Sequence, residues 1–246
     1  GITIQSAAIS FIWDDCRVNM IDTPGHVDFQ GEVERAVRVL DGAVAILDAV
    51  QGVQAQTHTI WRQADRYKVP RIVYFNKMDR DDACMIRGMK SIKERLGADN
   101  LVQLQIPIGS GTTFSGVIDI VEKKAYDYPM THEITATVSD VTPAHKYYKQ
   151  MMEAREKLLS TLADHDDSVI EEYSQLGDDI SPKVIQNAIR RLTSTLVIIP
   201  TLCGSSFKRK GIQPLLNAIT RYFPSPLERP PLVARNFMIE SRNLLK

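Results

Sequence analysis

The apolar residues of this chain fall into short runs separated by charged and turn-forming stretches, and the period of each run predicts an element. Residues 4–13 and 17–21 read as two strands joined at the Asp14-Asp15 pair, the pattern of a hairpin. Residues 29–40 have helical spacing, with Glu32, Glu34, Arg35 and Arg38 on the charged side. A helix placed directly after a loop motif suits a mobile switch element, and a plain amphipathic helix has the same pattern. Residues 42–49 are almost continuously apolar, as a parallel strand buried on both faces would be. A helix is predicted over 57–67, a strand over 71–75 and a helix over 83–96. This alternation describes an α/β fold, a mostly parallel sheet with flanking helices.

From about residue 102 the alternation breaks. Strands are predicted over 102–108 and 116–121, with a third over 123–128, then helices near 143–163, 166–175 and 182–193. The strand–helix pattern returns at 196–200 and 212–222 and stops at Pro224-Ser225-Pro226. The expected organisation is a first part over 1–101, an inserted α+β subdomain over 102–195, a closing strand and helix over 196–226, and a divergent tail over 227–246.

Two motifs lie at the ends of predicted strands, where open α/β sheets bind ligands. The first is D-x-x-G, Asp22-Thr23-Pro24-Gly25, followed by His26. An Asp at such a position can hold a water of Mg²⁺, a hard cation that keeps several waters. Gly25 lets its backbone N–H approach a γ-phosphate with no Cβ in the way, and loss of that hydrogen bond on hydrolysis can release the following segment. The second is N-K-x-D, Asn76-Lys77-Met78-Asp79. Its final carboxylate can accept both the ring N–H and the exocyclic amine of guanine, and adenine offers no such pair. Hydrogen bonds to a charged group contribute about 1.5–3 kcal/mol each, enough to select GTP over ATP. Lys77 can lay its stem along the base. Each motif alone is also ordinary turn chemistry; their order and strand-end context point to a guanine-nucleotide switch. Gly204-Ser205-Ser206, after a third apolar run, is either a plain strand-to-helix turn or a loop offering N–H groups to the guanine carbonyl.

Residues 1–8, Asp22-Thr-Pro-Gly-His-Val-Asp-Phe29, Glu32-Val-Glu-Arg35, Val39-Leu-Asp-Gly-Ala43, Trp61-Arg-Gln-Ala-Asp65, Asn76-Lys-Met-Asp-Arg80 and Cys203-Gly-Ser-Ser-Phe-Lys208 resemble the GTPase domain of the elongation factor G family, almost continuously from Gly1 to Pro226. The resemblance implies a P-loop-type GTPase domain with GTP/GDP and Mg²⁺ as cofactors. It implies that Thr3 ligates Mg²⁺, with Ile2 on one side of an apolar gate, and that Asp22 contacts the metal through water. Gly25 would contact the γ-phosphate and His26 would orient the attacking water, although a lone His after a Gly turn is also an ordinary solvated residue. Asn76, Lys77 and Asp79 would read guanine, with Ser205 and the Ser206 N–H completing the base site. Trp61 to Asp65, Leu104-Gln-Ile-Pro-Ile-Gly109 and Lys210-Gly-Ile-Gln-Pro-Leu-Leu216 are most similar to the mitochondrial ribosome-recycling branch. That branch implies the ribosome as partner, through stalk proteins and large-subunit rRNA, together with a ribosome recycling factor. It also implies the mitochondrial matrix, or the cytoplasm if the source is bacterial.

The sequence departs from that family in two places. No G-x-x-x-x-G-K-[ST] phosphate loop occurs, and residues 227–246 do not alternate like the strands of a following barrel. The expectation is a fragment, lacking the first strand and phosphate loop, that by itself neither binds GTP well nor hydrolyses it. Unpaired strand edges flanking the gap are a further expectation. The acidic stretch 164–172 reads as a stalk-facing surface or, more plainly, as a helix start favoured by its dipole.

Composition adds limits. The chain has 246 residues, 43% of them apolar, with Lys+Arg and Asp+Glu at 30 each, so its net charge gives no argument for binding DNA. Cys16, Cys84 and Cys203 are scattered without metal spacing and read as buried or free thiols. No run has membrane-spanning length, so no membrane partner is expected. Three other functions compete with recycling: translocation by the same family, a non-catalytic stalk-binding module, and an ATP-dependent enzyme. The last is disfavoured by Asp79.

Overall fold

The computed structural model describes residues 7–23, 30–129 and 135–229. Strands β1 (Ala7–Trp13) and β2 (Cys16–Asp22) form an antiparallel hairpin in register from Ala7↔Asp22 to Trp13↔Cys16. Its two-residue turn, Asp14 and Asp15, has positive φ at both positions (49° and 57°), the twist that a tight hairpin requires. Trp13 Nε1 donates to Asn217 Oδ1 at 2.8 Å and docks the hairpin on helix α7 (Ile212–Tyr222).

The main sheet has the order β3-β4-β10-β5, with every pair parallel: β3 (Ala43–Asp48), β4 (Arg71–Asn76), β10 (Ile199–Cys203) and β5 (Leu101–Gln103). Successive residues of β4 face opposite sides, as strand geometry dictates. Ile72 and Tyr74 join a core with Leu202, Leu215 and Ala218, whereas Val73 and Phe75 join Leu47, Trp61, Met85 and Ile92. Helices α2 (Ala55–Arg66) and α3 (Met85–Leu96) supply the second layer. Gly88 of α3 allows this approach, since a Cβ there would lie 2.3 Å from Phe75. Helix α1 (Gln30–Val37) packs Val33 and Val37 against Ala64 and Val69, and its Glu34 hydrogen-bonds the Tyr67 hydroxyl.

The apolar run at 42–49 does not have both faces buried. Strand β3 hydrogen-bonds only β4 among the described strands, and Ile46 is 64% exposed. An apolar run reports what a strand can bury, not how many neighbours cover it. Helix α1 ends at Val37 rather than residue 40, because Val39 and Leu40 turn back onto Ala36 and Val37.

The strand expected over 102–108 is two strands. β5 stays in the parallel sheet, and β6 (Gln105–Ile108) opens an antiparallel meander with β7 (Gly116–Asp119), β8 (Lys124–Asp127) and β9 (Thr137–Asp140). Leu104 is the corner between sheets, donating to Thr201 O and accepting from Ile120 N. Strand β9 has all four residues exposed and so no periodic apolar signal. Helices α4 (Tyr148–Ala163), α5 (Asp167–Leu176) and α6 (Pro182–Ser194) cover the meander. α4 starts five residues later than expected, after a turn in which His145 bonds Thr142. β10 lies three residues beyond its expected start, since Val197 and Ile198 bond Leu192 O and finish α6. Asp166 caps α5 by accepting from Ser168 N and pairs with Arg191 at 2.7 Å, so the acidic stretch opens as a capped helix start.

Buried polar contacts fasten the meander to its neighbours. Arg155, 1% exposed, donates to Ile120 O (2.7 Å) and Val121 O (2.8 Å). Glu122 pairs with Arg221 of α7 at 2.8 Å and accepts from Gln186 at 3.1 Å. Asp119 accepts from Val121 N and Glu122 N, and burial pushes its carboxyl up from 3.8 to about 6. The folded state therefore holds this proton more tightly than the unfolded chain. The associated stability is present below pH 4 or so and is lost as pH rises toward about 6. Asp119→Asn keeps the acceptor and removes the ionisation. In urea denaturation its stability relative to the unaltered chain should rise by about 1–2 kcal/mol between roughly pH 4 and 6.5; a constant difference across that range would refute the assignment.

Candidate nucleotide site

Strands β4 and β10 are parallel neighbours with Phe75 opposite Cys203, so the loops that leave their C-terminal ends emerge side by side. Asn76 ends β4, and its side-chain oxygen accepts three hydrogen bonds: from Lys77 N (2.8 Å), Ser206 N (2.9 Å) and Ser206 Oγ (2.9 Å). One carboxamide thereby ties the two loops together. The backbone repeats the link, with Gly204 N donating to Phe75 O at 3.0 Å and Met78 N to Gly204 O at 3.1 Å. Gly204 is required for this approach, because a Cβ would lie 2.1 Å from Tyr74 Oη and 2.5 Å from Lys210 O. Met78 is buried beneath the loop, and its carbonyl accepts from Gly111 N of the insert at 3.0 Å. Ser205 and Lys210 exchange backbone hydrogen bonds, and Lys210 Nζ donates to Phe114 O at 3.2 Å.

Two side chains give the site its chemistry. Asp79 Oδ1 is shielded from solvent and has no hydrogen-bond partner among the described residues. A carboxylate oxygen left so is costly, and a ligand bringing N–H donors would relieve it. Lys77 adopts a left-handed backbone (φ 67°), and its ammonium lies 2.7 Å from Asp48 Oδ2. Burial raises the Asp48 carboxyl, but the hydrogen bonds from Lys77, Val50 N and Gln51 N outweigh it and bring the group below its ordinary value. At the rim, Phe207 is 84% exposed with the Lys208 ammonium 5.5 Å from its ring centroid.

The structure thus brings together Asn76, Lys77, Met78, Asp79, Gly204, Ser205 and Ser206. Asp22 ends β2 on the separate hairpin sheet and is exposed, with Thr23 following it. Thr3, Pro24, Gly25 and His26 lie outside the described residues. Among the described residues no group of three or more His, Cys, Asp or Glu could hold a metal ion. One carboxylate acting through water suits Mg²⁺, which takes one or two carboxylates plus phosphate oxygens rather than a protein cage. The orphaned Asp79 oxygen fits a guanine edge, whereas the contact expected from Ser205 and the Ser206 N–H is not offered, because Ser206 N donates to Asn76 Oδ1 and Ser205 N to Lys210 O. Sequence reasoning missed Asp48. Asp48 had a signal, for it ends a strand as Asn76 does and faces it across the sheet.

Residues 1–225 match the elongation factor Tu GTP binding domain. The chain belongs to that family. It is a GTP-binding domain of the translational GTPase type, and guanine-nucleotide binding is the property of that domain. It is also similar to the crystal structure of ttk003000868 from Thermus thermophilus, with a TM-score of 0.79 and 26% identity over 93% of this chain. The match covers 33% of the Thermus protein, so this GTP-binding domain spans about a third of that chain.

In this domain Asn76→Ala removes the acceptor that holds the Ser206 amide. Its hydrogen–deuterium exchange should speed up by about tenfold, the equivalent of one lost hydrogen bond, while amides of β10 keep their protection.

Proposed function

We propose that this domain, as part of an intact translational factor of the elongation factor G type, binds GTP and GDP with Mg²⁺ and hydrolyses GTP on the ribosome. The finer reading is mitochondrial ribosome recycling, in which subunits separate after termination with a recycling factor, and it rests on the resemblance over 61–65, 104–109 and 210–216. The observation that carries nucleotide binding is the buried, unpartnered Asp79 oxygen beside the Gly204–Ser206 turn. The guanine ring N–H and amine are the donor pair it lacks. The backbone N–H groups of Gly204, Ser205 and Ser206 are taken up by Phe75 O, Lys210 O and Asn76 Oδ1, so on this reading a contact with the guanine carbonyl requires one of them to be released.

On this reading Asp22 and Thr3 hold the metal, Gly25 contacts the γ-phosphate and His26 orients the water. Mg²⁺ would supply charge neutralisation on the phosphates. The protein's own part is positioning and electrostatics, as phosphoryl transfer requires.

The ribosome is the partner the family implies, through stalk proteins and large-subunit rRNA. Recycling requires subunit separation with recycling factor, and tRNA–mRNA movement in its place would favour the translocase.

Asp79→Asn tests the base site directly. An amide in that position accepts one hydrogen bond and donates another, which suits xanthine, with a carbonyl where guanine has its amine. GDP affinity should fall by about 100-fold, two lost charge-assisted bonds, and XDP affinity should rise, both read by calorimetric titration with Mg²⁺. Equal competition by ADP and GDP against the unaltered chain would reject the guanine assignment.

A further inference from the structure

We propose that Asp48 is a positioning residue for purine binding: it holds the Lys77 ammonium so that the lysine's aliphatic stem stands as a preset wall for the face of the base. The inference rests on the guanine-site reading above.

Four observations carry it. Asp48 and Asn76 are opposite residues at the ends of parallel neighbours β3 and β4, so Lys77, the next residue, starts beside Asp48. The left-handed conformation of Lys77 (φ 67°), unusual for a residue with a Cβ, is the backbone geometry from which its side chain reaches β3. The ammonium then lies 2.7 Å from Asp48 Oδ2, a charge-assisted hydrogen bond. Asp48 is itself immobile: only 8% of its side chain is exposed, and Oδ1 accepts from Val50 N (2.8 Å) and Gln51 N (3.3 Å). One carboxylate oxygen is fixed by the backbone and the other holds the lysine.

A flexible four-carbon chain usually loses rotamer freedom when a ligand packs on it. Here that loss is taken during folding, so the nucleotide does not meet it on binding. Immobilising one such side chain corresponds to about a three- to tenfold change in affinity. The wall meets the ring face, which guanine and hypoxanthine share, whereas Asp79 reads the ring edge.

The test is a double-mutant cycle on the full chain, with GDP and IDP titrated calorimetrically in Mg²⁺ against the unaltered protein, Asp48→Asn, Lys77→Met and both together. Asp48→Asn should weaken GDP and IDP by the same factor, about three- to tenfold, and should have no further effect once Lys77 is Met. An equal loss in the Lys77→Met background would mean that Asp48 acts only through the Val50–Gln51 turn and would overturn the proposal. No loss in the single variant would do the same. If the unaltered chain bound GDP no better than IDP, which lacks the exocyclic amine, the base-site reading itself would fall, an outcome distinct from both. If Asp48→Asn does not fold, lysine ammonium NMR of the unaltered, GDP-bound chain decides instead: a Lys77 signal in slow exchange with solvent supports the tether, and a freely exchanging one overturns it.

Discussion

The backbone of Ile199–Cys203 is paired on both sides, with β4 along one edge and β5 along the other, and all five residues are buried. Little else in the domain could keep its place without that strand. It arrives after the whole insert has been traversed, and it must enter in one register. That register puts Cys203 beside Phe75 and Gly204 against Tyr74 Oη, a contact no other residue type could make. A one-residue slip would turn Leu202 and Cys203 to the wrong cores and part the loops that end β4 and β10. The candidate base site is a consequence of strand pairing several residues below it.

The insert secures the same arrangement from the other side. Gln105 Oε1 accepts from Cys203 N inside the sheet corner, Gly111 N reaches Met78 O, and Lys210 Nζ reaches Phe114 O. Arg155 occupies carbonyls that the turn after β7 would otherwise leave unpaired. Buried polar groups of this kind favour one geometry because a half-satisfied alternative is costly. The N-K-x-D loop therefore belongs physically to both the parallel sheet and the inserted meander.

Several shielded side-chain atoms have no hydrogen-bond partner among the described residues, Tyr74 Oη, Gln105 Nε2 and Arg155 Nε included, and Asp79 Oδ1 is the carboxylate oxygen of that set. What sets Asp79 apart is its charge, because a carboxylate oxygen is costlier to leave unpaired than a neutral group. The free energy withheld there is available to a ligand whose edge carries two N–H groups. Lys77 reverses the case, because its charge is already paired and its stem is the part left for contact.

Much of this was legible in the chain itself. The α/β class, helices near 57–67 and 83–96, α7 at 212–222, the hairpin and the N-K-x-D loop follow from period and residue chemistry, which are local properties. What misled lay elsewhere. The run at 42–49 carried no sign that Ile46 is left exposed, and β9, all exposed, had no apolar period to see. The split at Leu104 depends on Thr201, far along the chain. In the site, sequence determined which residues could read a base: Asn76, Lys77, Asp79 and the Gly204-Ser205-Ser206 turn. Only the tertiary structure decided that Asn76 is spent on joining two loops, that Asp79 keeps an oxygen unpaired and that Asp48 holds Lys77. Those outcomes depend on which strands lie side by side, and pairing between distant segments leaves no periodic trace in either one.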